Sequence, residues 1–330
     1  MAIVDKINED KMYTVHVMDV DCVDMPIKDI SAVDSSKPEM ADTIAEASLI
    51  TTAVGLVILP RIAPTIAAGI AKRKANGCTE PMNIIACENA IRASSQLKEA
   101  VYNALDDEGK AYADAYIGFP DCSVDRIVPP VKSENFIDVV VENYYEWNVE
   151  KASFKGEIPA IPGMNLADNL MAYIERKLFT LNTGHAITAY LGVLKGYSTI
   201  DEAIADEEIY ETVHAAMTES VDGLIRKHGF DKQAHYQYID KIIGRFKNPY
   251  LKDDVTRVGR EPLRKLSPTD RLTKPMMTAY GYGLPVDHLI TGMGAAFRYN
   301  NPEDKQSVEL QQKIAELGIE AAVREVTGIE

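Results

Sequence analysis

Three side chains in one short run have the types and spacing for alcohol oxidation. They are Lys177, Asn182 and His185, within Glu175-Arg176-Lys177-Leu178-Phe179-Thr180-Leu181-Asn182-Thr183-Gly184-His185. If the run is a helix, Asn182 sits about 140° round from Lys177 and His185 about 80°, so all three face one side. Leu178 and Leu181 fall elsewhere and can pack. A secondary alcohol gives up hydride only as its hydroxyl loses a proton. A lysine takes that proton if burial and positive neighbours bring its pKa from ~10.4 towards about 7–8. The amide and the imidazole would then donate hydrogen bonds to the oxygen as it becomes a carbonyl. This chemistry needs no metal. The other histidines, His16, His214, His228, His235 and His288, show no zinc spacing and read as surface or core residues. The same spacing also suits a buried helix with a snorkelling lysine and satisfied polar groups.

A second cluster is basic. Between Arg245 and Lys274 stand nine Lys or Arg against four acids, on a chain whose net charge is −15. A local positive patch on an acidic protein points to a small anionic ligand rather than to nucleic acid or an anionic membrane. Arg257 and Arg260 lie three apart on what reads as a short helix ending before Pro262, so they are expected to share a face. Arginine suits phosphate because its planar fork binds oxygens bidentately. A solvated basic face is the plainer alternative.

The elements around these residues divide the chain in two. In the first half, short apolar runs alternate with amphipathic ones. Tyr13 to Val20, Leu49 to Val54 and Asn83 to Cys87 read as strands. Met40 to Ala47, Ile62 to Lys74 and Ser95 to Leu105 read as helices. That alternation predicts an α/β unit with a mostly parallel, doubly wound, Rossmann-like sheet covered on both faces. Ile137 to Val141 and Tyr144 to Val149 extend it as further strands, between prolines. After about Asp168 nearly everything is helical, apart from the turn at Pro249-Tyr250 and the proline-punctuated stretch Pro262 to Pro275. The expected domains are therefore 1–168, a nucleotide-binding sheet, and 169–330, an all-α domain. The four cysteines, Cys22, Cys78, Cys87 and Cys122, form no CxxC pair and read as reduced. No stretch is long and apolar enough for a membrane span, so a cytoplasmic protein is expected.

The pattern Lys-x4-Asn-x2-His resembles the active-site signature of the polyol-specific long-chain dehydrogenases. Further blocks carry the resemblance from about residue 3 to the C-terminus. They include Thr51 to Gly55, Leu59 to Pro64, Ala86 to Asn89, Val124 to Pro129, Glu175 to Ala186, and Ile243 to Arg257. The match is strongest to the branch that interconverts D-mannitol 1-phosphate and D-fructose 6-phosphate with NAD. The resemblance implies Lys177 as base, with Asn182 and His185 on the reacting oxygen. It implies Thr52, Ala53, Val54, Gly55 and Asn89 for the cofactor. It also implies Asn89, Asp125, Arg257 and Arg260 for the substrate. Gly55 ends a strand and would let the dinucleotide backbone come close; a plain turn glycine is the alternative. Asn89 could equally be a turn residue, and Asp125 a structural partner of Arg126. Family members that use unphosphorylated polyols resemble this chain at Arg257 and differ at Arg260, which assigns Arg260 to the phosphate. No metal site is implied, and a monomer or weak homo-oligomer is expected. The family's glycine-rich loop and its acidic ribose residue would precede residue 1, and GxGxxG is read nowhere in the chain. The first strand, that loop and the second strand are thus expected to be missing. A reductase for hexuronates or unphosphorylated polyols, and a sugar-phosphate-binding remnant without cofactor, are the rival expectations.

Overall fold

The computed structural model describes residues 2–19, 22–129 and 133–329. The chain forms two compact units, Met1–Ile174 and Glu175–Glu330.

The first unit mixes helices and strands in the order α1 (Ala2–Asp10), β1 (Met12–Met18), β2 (Val23–Lys28), α2 (Glu39–Glu46), β3 (Leu49–Thr52), α3 (Leu59–Ala75), β4 (Met82–Ala86), α4 (Ala93–Asn103), α5 (Asp107–Tyr116), β5 (Ile117–Gly118), β6 (Cys122–Asp125), β7 (Val139–Glu142), β8 (Glu146–Glu150) and β9 (Met164–Ala167). These strands pair as three three-stranded sheets, β2-β1-β7, β3-β4-β5 and β6-β8-β9. Pairing is parallel except at β1·β2 and β6·β8. Val20, the last residue of the first expected strand, and Pro130 in the proline-flanked segment lie outside the described residues.

Strand β4 shows why this unit holds together. All five of its residues are buried, and successive side chains point to opposite faces. Met82, Ile84 and Ala86 join a core with Ile66 and Ile70 of α3, Leu97 and Val101 of α4, and Ala113 of α5. Ile85 faces the other way, onto Cys122 of β6 and Val149 of β8. The sequence predicts helices on both faces; here the second face is covered by the sheet β6-β8-β9. The antiparallel β1·β2 hairpin also escapes the sequence reading, because β2 carries Pro26 and is mostly exposed. Helix α3 begins earlier than expected, at Leu59, because a proline in the first turn costs no helical hydrogen bond.

The second unit is helical. Helix α6 (Leu170–Arg176), which spans the boundary between Ile174 and Glu175, runs into a π-helical turn, Lys177–Asn182, and then α7 (Thr183–Lys195). There follow α8 (Ile200–Ala205), α9 (Glu207–His228), α10 (Lys232–Phe246), α11 (Val255–Gly259), α12 (Pro262–Leu266), α13 (Thr273–Gly281), α14 (Asp287–Arg298), α15 (Lys305–Leu317) and α16 (Ile319–Thr327). Buried α7 is the central helix, packed by α9, α11 and α14. Aspartates cap the starts of α9, α10 and α11, at Asp206, Asp231 and Asp254; each carboxylate accepts an otherwise orphaned backbone N–H. The stretch Pro262 to Pro275, expected to be irregular, contains α12 and the first turn of α13. Both prolines fall in first turns, where proline is tolerated. Among the described residues no helix is long and apolar enough to cross a membrane.

Candidate active site

Lys177, Asn182 and His185 lie on one continuous helical stretch, but not with α-helical spacing. The turn Lys177–Asn182 is π-helical. In that geometry hydrogen bonds close from i to i+5 and a turn takes a little over four residues, so Asn182 falls a little more than one turn along from Lys177. The expected angular offset between them is therefore wrong, and the shared face is better matched than an α-helix would make it. Asn182 and His185 stand three apart at the entry to α7 and are helix-surface neighbours. All three side chains are partly buried. The Thr183 hydroxyl donates to the carbonyls of Leu178, at 3.0 Å, and Arg271, at 2.7 Å, fastening the junction of the π turn and α7.

Two buried carboxylates flank this stretch. Glu175, just before the π turn, meets Lys227 at 2.8 Å, His228 at 2.7 Å and Lys274 at 3.0 Å. Burial pushes its carboxyl up, but hydrogen bonds from Lys227, His228 and Lys274 outweigh that and bring it to about 2. Asp253, just before α11, is 5% exposed. Its Oδ2 lies 2.9 Å from His185 Nε2, and its Oδ1 pairs with Arg257. The N–H of His185 points off the line to Oδ2, so that oxygen lacks a well-aligned hydrogen bond. Coulomb attraction at this distance does not depend on that angle. Burial pushes the Asp253 carboxyl up, while the contact from His185 and the charge of Arg257 outweigh it and leave it below its ordinary value. On its face His185 stacks on Phe246, with centroids 4.9 Å apart.

Arg257 and Arg260 do not share a helical face. Helix α11 ends at Gly259, and Arg260 is extended, with φ −53° and ψ 154°. The cause is the proline two residues on. The residue before a proline avoids the α region, and Glu261 takes a left-handed conformation, with φ 61°. The ammonium of buried Lys265 donates to the Arg260 carbonyl and pins this bend. Burial first, and then Arg271 and Arg264, push that ammonium down to about 7. Arg264 pairs with Glu261 and Asp270, both at 2.9 Å, and Arg271 pairs with Asp270 at 2.7 Å. Arg260 is exposed, and no carboxylate meets its guanidinium among the described residues.

In the first unit, the residues from Thr52 to Gly55 follow β3. Glu88, buried just past β4, shapes this loop. Its Oε1 accepts from Thr52 Oγ1 at 3.1 Å and from Val54 N at 2.8 Å, and its Oε2 accepts from Gly55 N at 2.9 Å. Those two N–H groups are therefore engaged and are not free to hold a phosphate. Gly55 has φ 91° and ψ 140°, and a Cβ there would meet nothing within 4 Å. The backbone conformation, not close approach, is what calls for glycine here. Asn89, exposed, follows Glu88 directly. Cys122, at the start of β6, donates to the Ala86 carbonyl at 3.3 Å, and β6 carries buried Asp125 three residues further on. Arg126 directs its guanidinium at the Glu142 carbonyl, at 3.0 and 3.1 Å. The exposed aliphatic side chains of Val54, Leu56, Val57 and Ile91 follow the carboxyl ends of β3 and β4, where ligands of parallel sheets collect. Such a surface fits the faces of a planar ring.

The expected residues thus fall into two groups. Thr52, Ala53, Val54, Gly55, Asn89 and Asp125 belong to the first unit; Lys177, Asn182, His185, Arg257 and Arg260 belong to the second. The sequence reading missed Glu88 and Asp253 as organisers. Each stands inside a block that carried the resemblance, but the partners of Glu88 lie 33 to 36 residues away and Asp253 reaches His185 across 68 residues, with only Arg257 nearby in sequence.

A D-sorbitol dehydrogenase in substrate-free form matches over 97% of this chain and 85% of its own, at 15% identity and a TM-score of 0.78. The mannitol 2-dehydrogenase of Pseudomonas fluorescens, in a ternary complex with NAD and D-mannitol, matches over 98% of this chain and 76% of its own, at 18% identity and a TM-score of 0.68. At these identities the likeness concerns the fold. The family models are more specific: the mannitol dehydrogenase Rossmann domain matches residues 1–163 and the mannitol dehydrogenase C-terminal domain residues 169–327. With both domain models met in order along nearly its whole length, the chain belongs to the mannitol dehydrogenase family of oxidoreductases.

Proposed function

We propose that this chain is a mannitol-1-phosphate 5-dehydrogenase, interconverting D-mannitol 1-phosphate and D-fructose 6-phosphate with NAD. The observation that carries the reading is the alignment of Lys177, Asn182 and His185 along one helical stretch, with His185 held by Asp253. The cofactor would supply the hydride chemistry, with its oxidised form as acceptor for the alcohol and its reduced form as donor to the ketone. Thr52 to Gly55, in the loop shape that Glu88 fixes, would pack against it, Asn89 would contact it, and the aliphatic side chains past β3 and β4 would cover a ring face. Lys177 takes the hydroxyl proton as the carbonyl forms, in place of a metal-bound water. Asn182 donates to the reacting oxygen and fixes its position. Asn89 and Asp125 would hold substrate hydroxyls.

Arg260 supports the phosphorylated substrate. Arg257, Arg264 and Arg271 already face carboxylates, whereas Arg260 projects from a pinned, extended backbone with its guanidinium uncommitted. The second reading is an unphosphorylated polyol, favoured by the sorbitol and mannitol dehydrogenases that share the fold. One experiment separates them. Ketose reduction is followed with NADH and with NADPH, on fructose 6-phosphate, fructose and a hexuronate. The proposal expects fructose 6-phosphate with NADH to be preferred. Arg260→Ala should then lower kcat/KM for fructose 6-phosphate by about 10- to 150-fold, the equivalent of a charged hydrogen bond, with little change on fructose. Equal losses on both sugars would make Arg260 structural, and a preference for fructose would favour the second reading.

A further inference from the structure

His185 is constrained on two sides. Phe246 stacks against its face, with planes 15° from parallel. At its edge, Nε2 lies 2.9 Å from Asp253 Oδ2. Asp253 is itself held by backbone. Its carbonyl accepts from Ile200 N at 2.8 Å, and the Val255 N–H donates to the Ser198 carbonyl at 3.0 Å. An antiparallel bridge joins Thr199 to Asp254. The segment ahead of α8 thereby clamps the segment ahead of α11, and the Asp253 carboxylate reaches His185 and Arg257 from a fixed base.

We infer that Asp253 is the positioning residue of this site: it decides which imidazole nitrogen is offered to the reacting oxygen and sets the reach of Arg257. The inference rests on the reading of Lys177, Asn182 and His185 given above. A carboxylate can only accept. Although its N–H is not aligned on Oδ2, the Nε2 edge lies 2.9 Å from a buried negative charge that attracts a proton there and repels a bare lone pair, so the nitrogen at that edge carries the proton. In the neutral ring Nε2 is then protonated and Nδ1 is the acceptor. The simple expectation that His185 donates to the oxygen therefore changes. Toward the alcohol, Nδ1 accepts from the hydroxyl and turns its O–H. Toward the ketone, the ring donates through Nδ1 only when it carries a second proton. Asn182 remains a donor in both directions. Arg257, paired with the other oxygen of Asp253, is kept from swinging into solvent although its side chain is 46% exposed.

The decisive measurement needs no substrate. Long-range 1H–15N spectra of the protein with 15N-labelled histidine, recorded at alkaline pH, report each ring's tautomer, and the His185 signals are those lost in His185→Gln. The inference expects Nε2–H for His185, with that bias weakened in Asp253→Asn, whose amide can face the ring with either atom. A wild-type ring protonated at Nδ1 instead overturns it, and this stands even if Asp253→Asn does not fold. Kinetics give the second arm. Asp253→Asn should lower kcat by about 10- to 150-fold in the wild type, but by less than about 2-fold in a His185→Ala background, and should raise KM except where Arg257 is already alanine. Equal effects in every background would make Asp253 a merely structural residue. If no sugar is turned over at all, the substrate reading fails while the tautomer result still decides this one.

Discussion

Glu88 and Asp253 are both buried carboxylates placed two residues outside a regular element, and they organise their surroundings differently. Glu88 reaches back 33 to 36 residues and binds mainly backbone, the N–H groups of Val54 and Gly55, with the Thr52 hydroxyl added. Asp253 reaches back 68 residues and binds side chains, His185 and, four residues on, Arg257. A carboxylate that holds backbone fixes the shape of a loop and leaves its side chains free to vary. A carboxylate that holds side chains fixes the chemistry and depends on their identity. The first suits a surface that packs on a cofactor; the second suits the place where protons move.

The comparison breaks most sharply at Lys177. If the helical unit carries the proton chemistry, Lys177→Ala should lower kcat by ~10²–10⁴-fold, the usual loss of a general base, with the thermal midpoint and NADH binding unchanged. Steady-state kinetics beside a melting curve check this. Wild-type turnover in the variant would move the proton transfer elsewhere, with buried Lys265 the next residue to test.

The stability of the same unit should depend on pH through Glu175. Its carboxyl lies at about 2 when folded, against 4.5 ordinarily. A depressed carboxyl contributes stability above its unfolded value, and that contribution is lost as pH falls through the folded one. The loss should therefore run from about pH 4.5 down to about pH 2. The shift alone corresponds to roughly 3 kcal/mol. Lys227 and Lys274 are each about a third exposed and screened, so on the order of 2 kcal/mol is expected. Urea melts across that range should show the drop in wild type and much less of it in Glu175→Gln. An equal acid slope in both would assign the effect to other carboxylates.

How far these features were legible in the sequence follows from their range. The apolar runs at β3 and β4 and the amphipathic stretches of α2 to α4 were readable because burial imposes a local period. The π turn was not. Over the six residues Lys177–Asn182, the apolar Leu178, Phe179 and Leu181 are too few to tell a period of 3.6 from one just above 4. The hairpin β1·β2 was missed because an exposed edge strand carries little hydrophobic signal. The sequence places Arg260 on a helix that Pro262 stops, whereas proline acts one residue earlier, at Glu261. Lys177, Asn182 and His185 were legible as a motif, whereas their organiser Asp253 looked like one more acid in a charged window.

Glu88→Gln tests the backbone-holding side of the comparison. The amide keeps the shape but offers one acceptor where the carboxylate offers two, so either Gly55 N–H or the pair Thr52 and Val54 loses its partner. The cost of an unsatisfied buried donor is about 1–3 kcal/mol. It should appear as weaker NADH binding by titration calorimetry, with the His185 tautomer unaffected. Unchanged affinity would show that the shape of the loop does not matter to the cofactor.

Gly55 gives the smallest and most local effect. At φ 91° and ψ 140° an L-residue is strained, at a cost of about 1–3 kcal/mol. A Cβ would meet nothing within 4 Å, so no clash adds to this, and an exposed loop can relax part of the strain. The expected loss for Gly55→Ala is therefore near the bottom of that range, about 1 kcal/mol. Asparagine separates the two kinds of positive-φ glycine. At Gly229, which ends α9 with φ 70° and ψ 28°, the conformation is left-handed helical and asparagine is tolerated there, so Gly229→Asn should cost less than the ~1 kcal/mol lower bound for an ordinary L-residue in that region. At Gly55 the ψ value lies outside that region, so Gly55→Asn should cost as much as Gly55→Ala. Thermal melts of the three variants decide it. If asparagine rescues position 55, the loop can settle into a left-handed turn, and Glu88 does not dictate its shape as strictly as its three hydrogen bonds imply.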